Sequence, residues 1–156
     1  MAVSNTTSLS DKKAKDEGLD LLFNGKLSVS QISVLKDALE KGIKIDYFKL
    51  IANPNFKFSS MCVLLEIAFE IEDFGIFQHL ANPKLEVYKI SYLADLIKSN
   101  ELTEEYVKLL SNPKFTVVQL GVLEDAIKKN VSFDYVKRAA DPSINAAKMA
   151  VLLGTK

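Results

Sequence analysis

Apolar positions recur in this chain on two scales. Within short windows they return every three to four residues, as in Ile32, Leu35 and Leu39 or Leu120, Leu123 and Ile127, which sets them on one face of an α-helix. Over the whole chain the same block returns about every 29 residues. Asn-Pro or Asp-Pro stands at Asn53-Pro54, Asn82-Pro83, Asn112-Pro113 and Asp141-Pro142, at spacings of 29, 30 and 29, and these pairs take up all 4 prolines. Asn24-Gly25 lies 29 residues before the first pair and reads as a degenerate copy. Counted from that Asn or Asp, the fourth column holds Leu27, Phe56, Leu85, Phe115 and Ile144. The ninth holds Ile32, Met61, Ile90, Leu120 and Met149, and the twelfth holds leucine every time: Leu35, Leu64, Leu93, Leu123 and Leu152. Independent columns that agree five times over define an internal repeat.

Each block predicts two helices. The first begins at the fifth column, where Ser28 with Gln31 and Thr116 with Gln119 have the spacing of a capping box. It should end near column 19, which holds Gly42, Asn100 and Asn130, residues that tolerate a left-handed C-terminal cap. A shorter helix follows in Asp46–Lys49, Glu105–Lys108 and Asp134–Lys137, acid early and lysine late in accord with the helix dipole. The Asn-Pro pair then ends it. A helix of about seven residues is unstable alone, so its aromatic residues must pack on neighbouring blocks.

These features predict an all-α fold: a short right-handed αα-solenoid of four full two-helix repeats, with half a repeat at each end. Residues 1–15, rich in Ser, Thr and Lys, read as a disordered N-terminal tail, and 16–156 as a single solenoid domain. Its repeats are 24–52, 53–81, 82–111 and 112–140, with a terminal half repeat at 141–156. The pattern resembles the HEAT-like αα-superhelical repeats. It is similar also to short Asn-Pro-punctuated repeats in uncharacterised proteins of low-GC Gram-positive bacteria and their mobile elements. The resemblance covers residues 16–153 and is structural, so it brings no catalytic residue with it. The period is shorter than the usual HEAT unit.

Composition narrows the chemistry. With 20 Lys+Arg against 20 Asp+Glu the formal charge is zero, which argues against the basic stripe of a nucleic-acid domain. One cysteine, Cys62, and one histidine, His79, leave no disulfide framework and no His/Cys zinc site. Cys62 faces outward on a helical wheel, which speaks against a nucleophilic pair with His79. No apolar run reaches about 18 residues, and Met1–Lys15 lacks an apolar core of signal-peptide length, so a cytoplasmic protein is expected. Neither a metal nor a cofactor is implied.

Two surface features remain as candidate binding sites. Column 14 holds Asp37, Glu66, Asp95 and Asp125, facing away from the apolar stripe. They form either an acidic ladder that meets a partner or a solvated face with local pairs such as Asp37–Lys41 and Asp125–Lys129. The second block breaks the pattern of its siblings. It has Ile71 at the cap column, Cys62, Leu65 and Phe69 at outward columns, and a net charge of −3, from Lys57 against Glu66, Glu70, Glu72 and Asp73. Either this is an apolar patch with an acidic rim (Glu66, Glu70), a docking site for a basic partner, or Leu65 and Phe69 are covered by the N-terminal segment or by a distorted helix. The expected function is therefore a non-enzymatic protein–protein interaction module, an adaptor or inhibitor from a bacterial mobile element. The alternative is a nucleic-acid-binding solenoid whose inner groove gathers the lysines of the first and fourth blocks while the acids face out; Lys128, Lys129, Lys137 and Arg138 could make a small basic patch in the fourth. The terminal helices leave room for a weak homodimer.

Overall fold

The structure, a computed structural model, describes residues 9–23, 25–100 and 102–154. Those residues form ten α-helices and no strand. They are α1 (Leu9–Leu22), α2 (Val29–Glu40), α3 (Ile45–Ile51), α4 (Phe58–Ile67), α5 (Phe74–Leu80), α6 (Val87–Asn100), α7 (Glu104–Leu110), α8 (Val117–Lys128), α9 (Phe133–Ala139) and α10 (Ala146–Leu153). From α2 onward, longer helices alternate with helices of seven residues. The chain packs as two compact units, Met1–Pro83 and Lys84–Lys156, where the sequence reading drew one domain over 16–156.

Local chemistry accounts for the helix boundaries. Both expected capping boxes form: the Gln31 N–H donates to Ser28 Oγ and the Ser28 N–H to Gln31 Oε1, and Thr116 with Gln119 does the same. Asp73 caps α5 by accepting from the Ile76 N–H at 3.1 Å. At the Asn-Pro turns the side-chain oxygens of Asn53, Asn112 and Asp141 accept from the N–H two residues on, at 2.9, 3.0 and 2.9 Å. The Asn or Asp thus supplies a partner for the backbone just where proline has stopped the helix.

At the other end, α2 and α8 close alike. The Ile43 N–H donates to the Ala38 carbonyl and the Gly42 N–H to Leu39, both at 3.1 Å; Val131 to Ala126 and Asn130 to Ile127 repeat the pair at 3.0 Å. Gly42 at φ 85° and Asn130 at φ 58° take the left-handed geometry this closure needs. Of the other expected caps, Asn24 lies outside the described residues, and α6 runs through Asn100 up to Glu101, which is also outside them. The second block avoids the left-handed residue altogether. Helix α4 stops at Ile67, the Ile71 N–H returns to the Ile67 carbonyl at 2.9 Å, and Ile71 is buried. Ile71 thereby supplies the core contact that Ile43 supplies one column later.

In the N-terminal unit α1 packs on α2 and α3, α2 on α4, and α3 on α4 and α5. Leu35, Phe48, Ile51, Met61, Leu64, Phe77 and Leu80 are fully buried there. The Tyr47 hydroxyl donates to the carbonyls of Ile71 and Glu72 at 2.9 and 2.7 Å, and its ring meets Phe74 edge-on. Residues 9–15 are part of α1 rather than of a tail, because α1 gains stability from its contacts with two helices; residues 1–8 lie outside the described residues. Gly18 permits that packing, since a Cβ there would stand 2.5 Å from Leu39 Cδ2. In the C-terminal unit α6 packs on α7, and α8, α9 and α10 pack on one another, around Ile90, Phe115, Leu123, Val136 and Met149.

One column ties three of the long helices, α2, α6 and α8, to the turn that follows each. The Gln31 side-chain amide donates to the carbonyls of Phe56 at 2.9 Å and Pro54 at 3.4 Å. Gln119 does the same to Ile144 at 2.7 Å and Pro142 at 3.0 Å. Lys89, in the same column, donates to the Pro113 carbonyl at 2.8 Å. All three donors are buried.

Candidate functional site

Helices α2 and α4 lie side by side and leave between them a groove of about 370 Å³. Helix α2 lines it with Val34, Asp37, Ala38 and Lys41; α4 and the turn after it contribute Cys62, Leu65, Glu66, Phe69 and Glu70. Each set runs i, i+3, i+4, i+7, the spacing of one helix face, so the groove extends along two helical turns.

Six of the eight residues singled out from sequence come together here: Cys62, Leu65, Glu66, Phe69, Glu70 and Asp37. Asp95 and Asp125 do not. They are exposed on α6 and α8, in the other compact unit, and Asp95 pairs with Lys98 at 3.6 Å. The outward orientation read for Leu65 needs correction. Leu65 is only 7% exposed, because the side of α4 beyond the core stripe packs toward α2 and makes Leu65 the floor of the groove. Cys62 is half-buried for the same reason. Phe69 lies in the turn after α4 and is 49% exposed among the described residues. Sequence reasoning missed the α2 wall. Its signal was the side-by-side packing of successive long helices, which sets columns 11, 15 and 18 of one block opposite columns 10, 13 and 17 of the next.

The groove has an apolar floor of Val34, Ala38, Leu65 and Phe69, with carboxylates on both sides. Asp37 on the α2 wall is paired at 2.9 Å with Lys41, whose pKa it raises by hydrogen bonding and charge. Glu66 and Glu70 are exposed on the α4 side. The Cys62 thiol is pushed above its ordinary pKa, by burial first and then by the Glu66 charge. A nucleophilic cysteine needs the reverse. Among the described residues no group of three or more His, Cys, Asp or Glu could hold a metal ion.

The corresponding columns at α6 and α8 are chemically opposite. Tyr92 stands where α2 has Val34, and Glu124 and Lys128 stand where α4 has Leu65 and Phe69. The Tyr92 hydroxyl donates to Glu124, and Lys128 closes on Glu124 at 2.6 Å. The ion pair seen on α8 is thus one position earlier than the expected Asp125–Lys129 pair. Burial pushes the Glu124 carboxyl up, but the hydrogen bonds from Lys128 and Tyr92 outweigh it and hold the pKa below the ordinary glutamate value. Burial and the Glu124 carboxylate push the Tyr92 phenol well above its own.

A larger hollow of about 770 Å³ between α1 and the α2–α3 loop is lined by charges of both signs, among them Asp11, Lys15, Glu40, Lys44 and Asp46. Among the described residues no helix is long and apolar enough to cross a membrane. Comparison of the chain with models of protein families, with curated proteins and with solved structures finds no match.

Proposed function

We propose that this chain is a non-enzymatic interaction module, an αα-solenoid of HEAT-like repeats that binds another protein through the groove between α2 and α4. The observation that carries this reading is the open apolar floor at Leu65 and Phe69, at columns where α8 carries a glutamate and a lysine that join Tyr92 in a polar cluster. An exposed phenylalanine beside a buried leucine, rimmed by charge, is the makeup of an interface core with its polar border. The raised thiol pKa gives the groove no activated nucleophile, and its carboxylates disfavour phosphate. Holding a partner without transforming it is what an adaptor or an inhibitor does.

The test is photo-crosslinking in lysate of the source organism, with Lys41 at the groove rim replaced by a photoreactive amino acid. Ser99, which occupies the same column on α6, serves as the control position. The expected result is a discrete protein adduct from position 41 that disappears in a Phe69→Asp background and is not formed from position 99. Absence of an adduct at 41, or an adduct indifferent to Phe69→Asp, would reject the reading.

A further inference from the structure

The shape and chemistry of the groove also specify what kind of element fits it. Both walls are helices whose backbone groups are bonded internally, and the floor offers only side-chain carbon and one thiol. An extended peptide laid there would bury N–H and C=O groups with nothing to receive them, which costs the full desolvation of each. Strand addition needs an exposed sheet edge, and the described residues contain no strand. A helix brings its own backbone partners. The lining runs over two turns on each wall, about 10 Å of helix axis, which matches apolar side chains spaced i, i+3 or i+4, and i+7 on a third helix laid along the seam.

Charge sets the flanks of that helix. Asp37 stands on one side of the apolar floor and Glu66 with Glu70 on the other, while the one lysine of the lining is held by Asp37 at 2.9 Å. On the α2 wall that pair is neutral, so the net charge of the lining sits on the α4 side: an occupant with carboxylates facing α4 would meet repulsion, and one with lysine or arginine there would find a counter-charge. We therefore propose that the groove takes a cationic amphipathic α-helix, its apolar stripe seated on Leu65 and Phe69 and its basic flank facing Glu66 and Glu70. This rests on the docking reading above and names the partner element.

The single cysteine of the chain lies in the groove and reports its occupancy. The measurement is the rate at which Cys62 of the full chain reacts with a neutral maleimide, followed by intact mass, in the presence of three capped 15-residue peptides. The first carries leucine at helical spacing with lysine on both flanks. The second replaces lysine by glutamate, and the third keeps the first composition with the leucines moved off the helical period. The lysine peptide should slow labelling by at least about fivefold at low salt and by much less in about 0.5 M salt, where exposed charges are screened within a few ångströms. The glutamate and scrambled peptides should leave the rate unchanged. In a Glu66→Lys, Glu70→Lys variant, whose substituted side chains are exposed and whose helical circular dichroism should be retained, protection should pass to the glutamate peptide.

Protection by the scrambled peptide would overturn the helical element, and protection by the glutamate peptide of the unmodified chain would overturn the charge assignment. Absence of protection by the lysine peptide, or protection unaltered by the charge reversal, rejects the proposal. If protection fails while the position-41 adduct still depends on Phe69, the helix is rejected and protein docking stands. If both fail, docking falls as well.

Discussion

Columns 11, 13 and 17 of the repeat hold Val34, Leu65 and Phe69 across one pair of long helices, and Tyr92, Glu124 and Lys128 across another. At α6 and α8 the tyrosine reaches across to the glutamate and the lysine closes from the next turn of α8, and among the described residues no buried side-chain nitrogen or oxygen lacks a partner. At α2 and α4 there is no group to reach across. Val34 and Ala38 are too short to fill the space above Leu65, so a groove stays open with Phe69 at its lip. The repeat columns are common to both pairs, and the side chains that occupy them differ: a polar cluster at one, an open apolar floor at the other. Function in this chain is therefore to be sought where a block departs from its siblings, and the columns they share belong to the fold.

Stability measurements test this contrast directly. Leu65→Ala should cost about 2–3 kcal/mol in urea unfolding, the low end for a buried leucine because the groove already opens one side of it. Glu124→Ala should cost about 1 kcal/mol, since Tyr92 and Lys128 can turn to water. A larger loss from Glu124→Ala than from Leu65→Ala would reverse the assignment of which pair relies on apolar packing.

A smaller effect follows from acid. The folded state holds the Glu124 carboxyl below its ordinary pKa, so its contribution is complete above the unfolded value near about 4.3 and is lost as pH falls through the lower folded value. Tyr92→Phe removes one of the two hydrogen bonds that depress it. Stability near neutral pH should drop by about 1 kcal/mol, and the decline as pH falls below about 4.3 should become shallower. Urea midpoints collected across that range decide the point, and an acid limb identical to that of the parent chain would detach Tyr92 from Glu124. The smallest effect belongs to Asp37→Asn. The Asp37–Lys41 pair is more than 60% exposed on both sides, so the melting temperature should not move. A clear drop there would mean that the groove rim is structural.

Much of the helical pattern can be read from the residues, because its signals are local. Ser28 with Gln31, Thr116 with Gln119, and the Asn-Pro turns mark helix ends by chemistry that acts within four residues. Other features depend on contacts with distant residues. Nothing near Gln31 says that its side-chain nitrogen serves carbonyls 23 and 25 residues on. Residues 9–15 look like a polar tail until the contacts of α1 with α2 and α3 are known. At Ile71 the left-handed cap expected of the column is replaced by an early stop of α4, which a column count cannot show. The docking patch was legible as an oddity of composition. Its α2 wall was not, because Val34 and Ala38 are unremarkable within their own block and matter only through what lies opposite.

The side chains that tie α2, α6 and α8 to the following turn also act as a ruler. Gln31 and Gln119 reach prolines 23 residues ahead, while Lys89 reaches one 24 residues ahead, where the Asn-Pro spacing is 30 instead of 29. The longer span carries the longer side chain. An insertion of one or two residues inside such a span carries the turn carbonyls away from a donor of fixed length and leaves that buried donor without its partner. Adding a whole block at an Asn-Pro turn instead returns a proline carbonyl to the same reach. Change in the length of this chain is thereby quantised, with the Asn-Pro turn as the joint and the buried donor as the gauge.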